Sequence, residues 1–394
     1  MISKSAATML LAGMLVVSLS GAAASAATAS APGPGPTACR TTPIAVTPGG
    51  PPSFIPYAKT VAPSDTSTSI VIRPDGPQIS CGETQLSTYS NIVYSAPVTA
   101  GKQVQLVMDI QVPRTPGPKP LVVFLPGGGF VVADPSGSLD QRTYVAEHGY
   151  VVASVQYRTI LDGATYKDGL ADIKTAIRYL RAHATRYDID PREVAVWGQS
   201  AGGYMAAMTG VDRSSAVQAV VDQFGPSDLT KIAADFDPAT QAAWASVQSI
   251  TTEYVLGPGN TKTLAQVPAA AAAADPITYV KPSDPPFALF HGSDDHIVSP
   301  SQTLLLLYAL RAKGVDSTRY VVEGANHGGL TVILGDTPAN LKADQLWTTR
   351  KVMGDILSFL YGHIGRLPVR TPLPGNRPVQ NQRPGRRAGR RMLR

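Results

Sequence analysis

Four short runs in the middle of the chain are mostly apolar and rich in valine: PLVVFLP (120–126), YVVASVQY (150–157), EVAVWG (193–198) and VQAVVDQF (217–224). A strand with one wet face alternates apolar and polar residues, so a run without alternation suits a strand buried on both faces. FALFHG (287–292) and TRYVVEG (318–324) continue the set. Segments with helical spacing lie between or beside them, at 137–148, 169–186, 200–210, 301–313 and 344–361. In the second of these, Leu170, Ile173, Ala176, Ile177 and Leu180 form one apolar stripe. Such alternation predicts an α/β fold, a mostly parallel central sheet with helices on both faces. NIVYSAP (91–97) and VQLVMDIQV (104–112) read as a further pair of strands.

The longest interruption is 225–284. Within it FDPATQAAWASVQSITTEYVL reads as helical, and the alanines Ala269–Ala274 as a short helix ended by Asp275-Pro276. An insertion here is expected to form a small cap over one end of the sheet. Apolar residues make up 43% of the 394, enough for a sizeable core, and a charged fraction of 16% excludes a disordered polyelectrolyte.

The ends read differently from the middle. Lys4 and the apolar run AATMLLAGMLVVSLS precede small-residue sites in GAAASAATASA. The run is shorter than the roughly 20 residues a spanning helix needs. We read residues 1–26 as a signal peptide cleaved near Ala26, and the protein as secreted, with no stable membrane insertion; an uncleaved anchor is the alternative. Export bears on Cys39 and Cys81, the only two cysteines. An oxidising compartment favours a disulfide between them, worth roughly 4 kcal/mol on the chain-entropy model, with two free thiols as the alternative. Residues 27–60 form a Pro/Gly/Ala-rich arm, and 365–394 a tail expected to be disordered. The chain is net +6, but nine arginines and no acid lie between Arg366 and Arg394. The basic charge therefore belongs to the tail, which is either a solvated extension or a contact for anionic surfaces, and no nucleic-acid partner is implied.

VAVWGQSAGGYMAAM (194–208) places Ser200 between Gly198 and Gly202, at the crossing from an apolar strand to a helix. G-x-S-x-G alone is weak evidence, but that context is what a nucleophile turn requires. Such a turn exposes the hydroxyl and aims the N–H of Ala201 toward a developing oxyanion. A serine needs a base to take its proton and an acid to orient the base. Of six histidines, His148, His183 and His363 fall in or at the ends of helices, and His291 and His296 flank HGSDDH. His327, in the glycine-rich loop VVEGANHGG beyond the last run, fits a base best. Asp294 and Asp295 follow directly after a strand, and one carboxylate is enough to hold the imidazole. The order Ser, Asp, His is that of one of the known serine triads. Gly127, Gly128 and Gly129 follow another strand. They match neither a dinucleotide loop nor a P-loop, and the reading that fits the other motifs is a cradle of N–H groups for an oxyanion. Phe130, Tyr157 and Tyr204 read equally as pocket or as core. Gln199, inside the motif, has no evident role.

PGGGF, GQSAGG, HGSDDHIV and ANHG occur in that order, accompanied by YRT at Tyr157–Thr159 and ITYVKPSDPPFALFHG. Over about residues 90–361 the chain resembles the α/β-hydrolase serine esterases, especially the acetyl-esterase and hormone-sensitive-lipase-like groups. That family has histidine where this chain has Pro126. The resemblance implies a hydrolase domain over 61–364, a Ser200–His327–Asp295 triad with Asp294 as second choice, and oxyanion donors at Gly128, Gly129 and Ala201. It implies hydrolysis of small-molecule or polysaccharide-linked carboxylic esters without metal or organic cofactor. Alternatives are a prolyl-oligopeptidase-like serine peptidase, a lipid or polyester hydrolase, and a non-catalytic binding protein on the same fold.

Overall fold

The structure is a computed structural model that describes residues 37–39, 55–335 and 337–365. The expected signal peptide, most of the arm and the arginine-rich tail lie outside the described residues.

Nine strands form one sheet. In chain order they are β1 (Ile70–Ile72), β2 (Leu86–Ser95), β3 (Leu106–Pro113), β4 (Lys119–Leu125), β5 (Val151–Val155), β6 (Ile189–Gln199), β7 (Ala219–Gln223), β8 (Phe287–Gly292) and β9 (Ser317–Val322). Their spatial order is β1-β9-β8-β7-β6-β4-β5-β3-β2. The seven strands from β1 to β5 are parallel, and β3 and β2 add an antiparallel edge. The fold is that of the α/β-hydrolases.

The unbroken apolar runs have the expected cause. Leu121, Val123 and Leu125 of β4 pack into the core on one face, with Val194 and Val196 of β6. Val122 and Phe124 pack into the core on the other, with Ala195 and Trp197. Helices α2 (Tyr166–Ala182), α3 (Ala201–Val211) and α7 (Ser301–Ala312) cover the first face, and α1 (Leu139–Glu147) and α10 (Arg350–His363) the second. Among the described residues, no helix is long and apolar enough to cross a membrane.

Three readings need correction. The stretch 344–361 is not one helix: after the short α8 (Leu330–Leu334), α9 (Pro338–Gln345) gives way to a 3-10 turn at Leu346–Thr348 before α10 begins. The break arises at Thr349, which is extended (φ −69°, ψ 147°) and caps α10 by accepting the N–H of Val352. The helical stretch after β7 is likewise divided, into α4 (Pro238–Trp244) and α5 (Ile250–Leu256), with Ser249 extended between them. Strand β1 was not anticipated. Only three residues long, with Ile70 and Val71 exposed, it joins the sheet solely by pairing with β9. The alanine run forms α6 (Pro268–Ala274) and ends at Asp275-Pro276. Cys39 and Cys81 are joined in a disulfide, with Cα atoms 4.8 Å apart.

Candidate active site

Parallel strands end on the same side of a sheet, and their carboxyl-terminal loops converge there. Gln199 closes β6 in register with Gln223 of β7, and Gly198 lies beside Leu125 of β4. The loops beyond β4, β6, β8 and β9 thus bring together Gly127–Gly129, Ser200, Asp295 and His327. Together with the loop after β7 they surround a cavity of about 190 Å³.

Ser200 sits at φ 54°, ψ −121°, a conformation that costs free energy for a residue with a side chain. The glycines around it make the turn possible. A Cβ on Gly198 would overlap the carbonyl of Gly202, and a Cβ on Gly202 would overlap the carbonyl of Leu125. The strand-to-helix crossing is so tight that backbone occupies the space of both side chains. The Ser200 N–H is held by the carbonyl of Gln223 at 2.9 Å.

Ser200 Oγ lies 2.8 Å from His327 Nε2, and His327 Nδ1 lies 2.8 Å from Asp295 Oδ2. Asp295 is fully buried, and its other oxygen, Oδ1, accepts the N–H groups of Ile297 (2.9 Å) and Val298 (3.0 Å). Burial alone would raise this carboxyl, but electrostatic attraction and hydrogen bonds from His327 and His291 override it and hold it far below the usual carboxylate range. Asp294 takes no part: its side chain faces solvent and pairs with His296 Nε2 at 3.2 Å. The edge of Phe224 packs against the His327 ring at 4.7 Å. Asn326 Oδ1 accepts the His327 N–H at 2.7 Å.

The Gly127–Gly129 loop is held without the histidine of the related pattern. The Tyr157 hydroxyl donates to the carbonyl of Pro126 at 2.8 Å. Thr159 Oγ1 donates to the carbonyl of Val131 at 2.7 Å, and the Ile160 N–H to that of Phe130 at 3.0 Å. Arg158 between them is locked to Asp172 of α2 by two bonds of 2.8 Å. The YRT segment is therefore the brace. It holds Phe130 at φ 62° and Gly128 at φ 145°. Among the described residues, no protein acceptor takes the N–H of Gly128, Gly129 or Ala201, so all three are available to a ligand. Phe130, Tyr157 and Tyr204 are buried, and Phe130 also lines the cavity.

Two residues of this site had no assigned role from sequence. Gln199 Oε1 accepts from Ser138 Oγ at 2.7 Å, and its Nε2 donates to Gln141 Oε1 (3.0 Å) and Gln223 Oε1 (3.1 Å). It ties the serine turn to the start of α1 and to β7. His291 backs Asp295, four residues away, which is the only hint of it that the sequence carries. Two of the helix-end histidines are structural: His148 and His183 each bond the carbonyl four residues back, at 2.7 and 2.8 Å.

Residues 108–310, just over half of the chain, match the family model named BD-FAE. The chain is 28% identical over 230 residues to Esterase LipC of Mycobacterium tuberculosis, a match covering 54% of this chain and 53% of that protein. It therefore spans about half the length of the curated relatives it matches. A truncated carbohydrate esterase from gut microbiota has a similar fold: TM-score 0.56, 21% identity, covering 72% of this chain and 98% of the other. So has an esterase of Thermogutta terrifontis, at TM-score 0.51 and 23% identity, covering 71% and 92%. These structural likenesses bear on the fold alone. On the extent of the family match, carried by a chain with this sheet and this arrangement of loops, the protein belongs to the BD-FAE family.

Proposed function

We propose that the protein is a serine hydrolase that cleaves carboxylic esters through an acyl-enzyme. The observation that carries this reading is the unbroken line of hydrogen bonds from Ser200 Oγ through His327 to Asp295, each 2.8 Å long, beside three unpaired N–H groups. Ser200 Oγ attacks the ester carbonyl as His327 Nε2 takes its proton. The carbonyl oxygen becomes an oxyanion, which Gly128, Gly129 and Ala201 stabilise through their N–H groups. His327 then protonates the departing alkoxide. Water, deprotonated by the same imidazole, attacks the acyl-enzyme and releases the acid. Asp295 keeps the proton of the resting imidazole on Nδ1 and stabilises the imidazolium. Relatives described as esterases support the reaction class, and small-molecule or polysaccharide-linked esters are the substrates we assign. We assign export to an oxidising compartment, which the disulfide supports, and cleavage near Ala26, which rests on the apolar run and the small-residue sites alone.

The purified protein should release p-nitrophenol from p-nitrophenyl acetate and be labelled by a fluorophosphonate. Asp295→Asn should lower kcat by about 10⁴-fold, whereas Asp294→Asn should leave it within about twofold. Equal rates in wild type and Ser200→Ala, or labelling that survives the substitution, would overturn the nucleophile assignment. The mass of protein recovered from culture medium checks the cleavage site.

A further inference from the structure

The cavity beside Ser200 has two unlike walls. Ile55, Ile232, Trp244 and Ile250 make one of them apolar. Opposite in character is the start of α1, with Ser138, Asp140 and Gln141. The orientation of the amides on this polar wall follows from one group that has no choice. An indole N–H can only donate. Trp197 Nε1 donates to Gln223 Oε1, which fixes that oxygen, and Gln199 Nε2 must then be the donor in its own bond to the same oxygen. Gln199 Nε2 also donates to Gln141 Oε1. Gln141 is thereby left with its Nε2 on the side away from this line of bonds.

Gln141 and Asp140 are each only 7% exposed. Among the described residues, no protein acceptor takes the Gln141 NH₂. The Asp140 carboxyl is held only by N–H groups of its own helical turn, that of Gln141 reaching Oδ1 at 2.8 Å, and no side chain donates to it. Both residues line the cavity, and neither Asp140 Oδ2 nor Gln141 Nε2 is among the sealed, unpaired polar atoms of the interior. Burial pushes the Asp140 carboxyl up to about 6, with Asp344, which also lines the cavity, adding to the rise. At neutral pH it is still mostly ionised, and it is short of donors.

A nearly buried acceptor beside a nearly buried donor matches a group that is both. An ammonium would satisfy Asp140 and leave Gln141 facing a cation. A hydroxyl satisfies both. We propose that Asp140 and Gln141 form a subsite for a hydroxyl on the alcohol portion of the ester, Asp140 accepting its hydrogen and Gln141 Nε2 donating to its oxygen. The alcohol is assigned to this wall because it must leave into water, while the acyl group stays through the acyl-enzyme against the apolar wall. This inference rests on the esterase reading above and names the alcohols that site selects. Gln199, through its bond to Gln141, is the positioning residue of the subsite.

The test is kcat/KM on three esters: glyceryl monoacetate, with the hydroxyl on the alcohol; ethyl glycolate, with it on the acyl group; and ethyl acetate, with none. Asp140→Asn and the size-conserving Gln141→Glu should each lower the glyceryl-to-ethyl acetate ratio by about tenfold, mainly through KM. A ratio unchanged in both variants overturns the proposal, as does a drop confined to ethyl glycolate. Thermal unfolding of each variant separates a folding defect, which lowers all three rates together and leaves the ratios intact. Failure of the underlying reading shows separately, as absence of Ser200-dependent hydrolysis of all three esters by the wild type.

Discussion

His291 and His327 both approach the same oxygen of Asp295: His291 Nε2 lies 3.2 Å from Oδ2, and His327 Nδ1 lies 2.8 Å from it. His291 Nε2 also faces the carbonyl of Val298 at 3.0 Å, so with two acceptors before it this nitrogen carries the proton. Its Nδ1 faces Thr303 Oγ1 at 3.1 Å; that oxygen accepts from Arg319 Nε at 2.9 Å, and its own proton goes to the imidazole, which is nearer than the Pro300 carbonyl at 3.5 Å. A directed line of donors thus runs from the buried Arg319 to Asp295.

The line predicts a graded response at His291, which has no contact with the cavity. His291→Leu removes a donor from a fully buried carboxylate and should lower kcat about tenfold, with little change in KM. His291→Gln keeps an N–H within reach and should recover most of that loss. Steady-state kinetics on p-nitrophenyl acetate check both. A KM effect as large as the kcat effect would mean that the substitution disturbs the cavity itself.

The parts of the site that were legible in the sequence are those fixed by local backbone. Ser200 was legible because Gly198 and Gly202 are demanded by a turn of neighbouring residues, and His327 because a glycine-rich loop follows a strand. The brace and the backing residues were not. Tyr157 reaches Pro126, 31 positions away, and Gln199 reaches Ser138 across 61. Neither spacing is periodic, so a tyrosine or glutamine that will be a strut looks like any other. Fold legibility divides in the same way. β4 to β9 carry their burial in composition, whereas β1 is exposed at two of its three residues and owes its place in the sheet to β9. The break at Thr349 also escaped, because a single threonine inside an amphipathic stretch does not announce that it will cap a new helix.

Tyr157 gives a stability and activity prediction together. Its hydroxyl is the donor to the Pro126 carbonyl, and the residue is only 1% exposed. Tyr157→Phe keeps the ring and leaves a buried carbonyl unpaired, at a cost of about 1–3 kcal/mol. Because that carbonyl precedes the oxyanion glycines, kcat should fall several-fold as well. Denaturant unfolding and kinetics measured on one preparation would show the two losses together. A loss of stability without loss of kcat would place the brace elsewhere in the YRT segment.

Asp222 predicts a pH dependence of stability. It is fully buried behind the serine turn, its Oδ1 accepts the Gly225 N–H at 2.9 Å, and its Oδ2 has no partner. Burial pushes the carboxyl up to about 7, the Gly225 N–H offsetting only part of the rise. The unfolded chain loses this proton near pH 4. Between about pH 4 and 7 the folded state holds more protons than the unfolded state, so stability declines as pH rises and levels off above. Asp222→Asn copies the protonated form. Relative to wild type it should gain stability from pH 4.5 to pH 8, by at most a few kcal/mol. Taking the difference between the two proteins cancels the other titrating groups. A difference that is the same at both pH values would show that Asp222 does not change protonation in this range.

Trp244 sets the length of the apolar side of the site. It and Ile232 line both the 190 Å³ cavity at Ser200 and a second cavity of about 340 Å³ next to it. The indole is 4% exposed and its Nε1 has no partner, so no hydrogen bond is lost when the ring is removed. Trp244→Ala should join the two cavities at a cost of about 3–5 kcal/mol in stability, and Trp244→Leu should do so in part at lower cost. With the wall gone, acyl chains of about six carbons or more gain room they lack in the wild type, and each buried CH₂ is worth about 0.8 kcal/mol. A series of p-nitrophenyl esters from acetate upward should therefore show an optimum that moves to longer chains in Trp244→Leu and further in Trp244→Ala. An optimum that stays in place in both variants would mean that Ile232 alone closes the passage, and Ile232→Ala would then be the substitution that opens it.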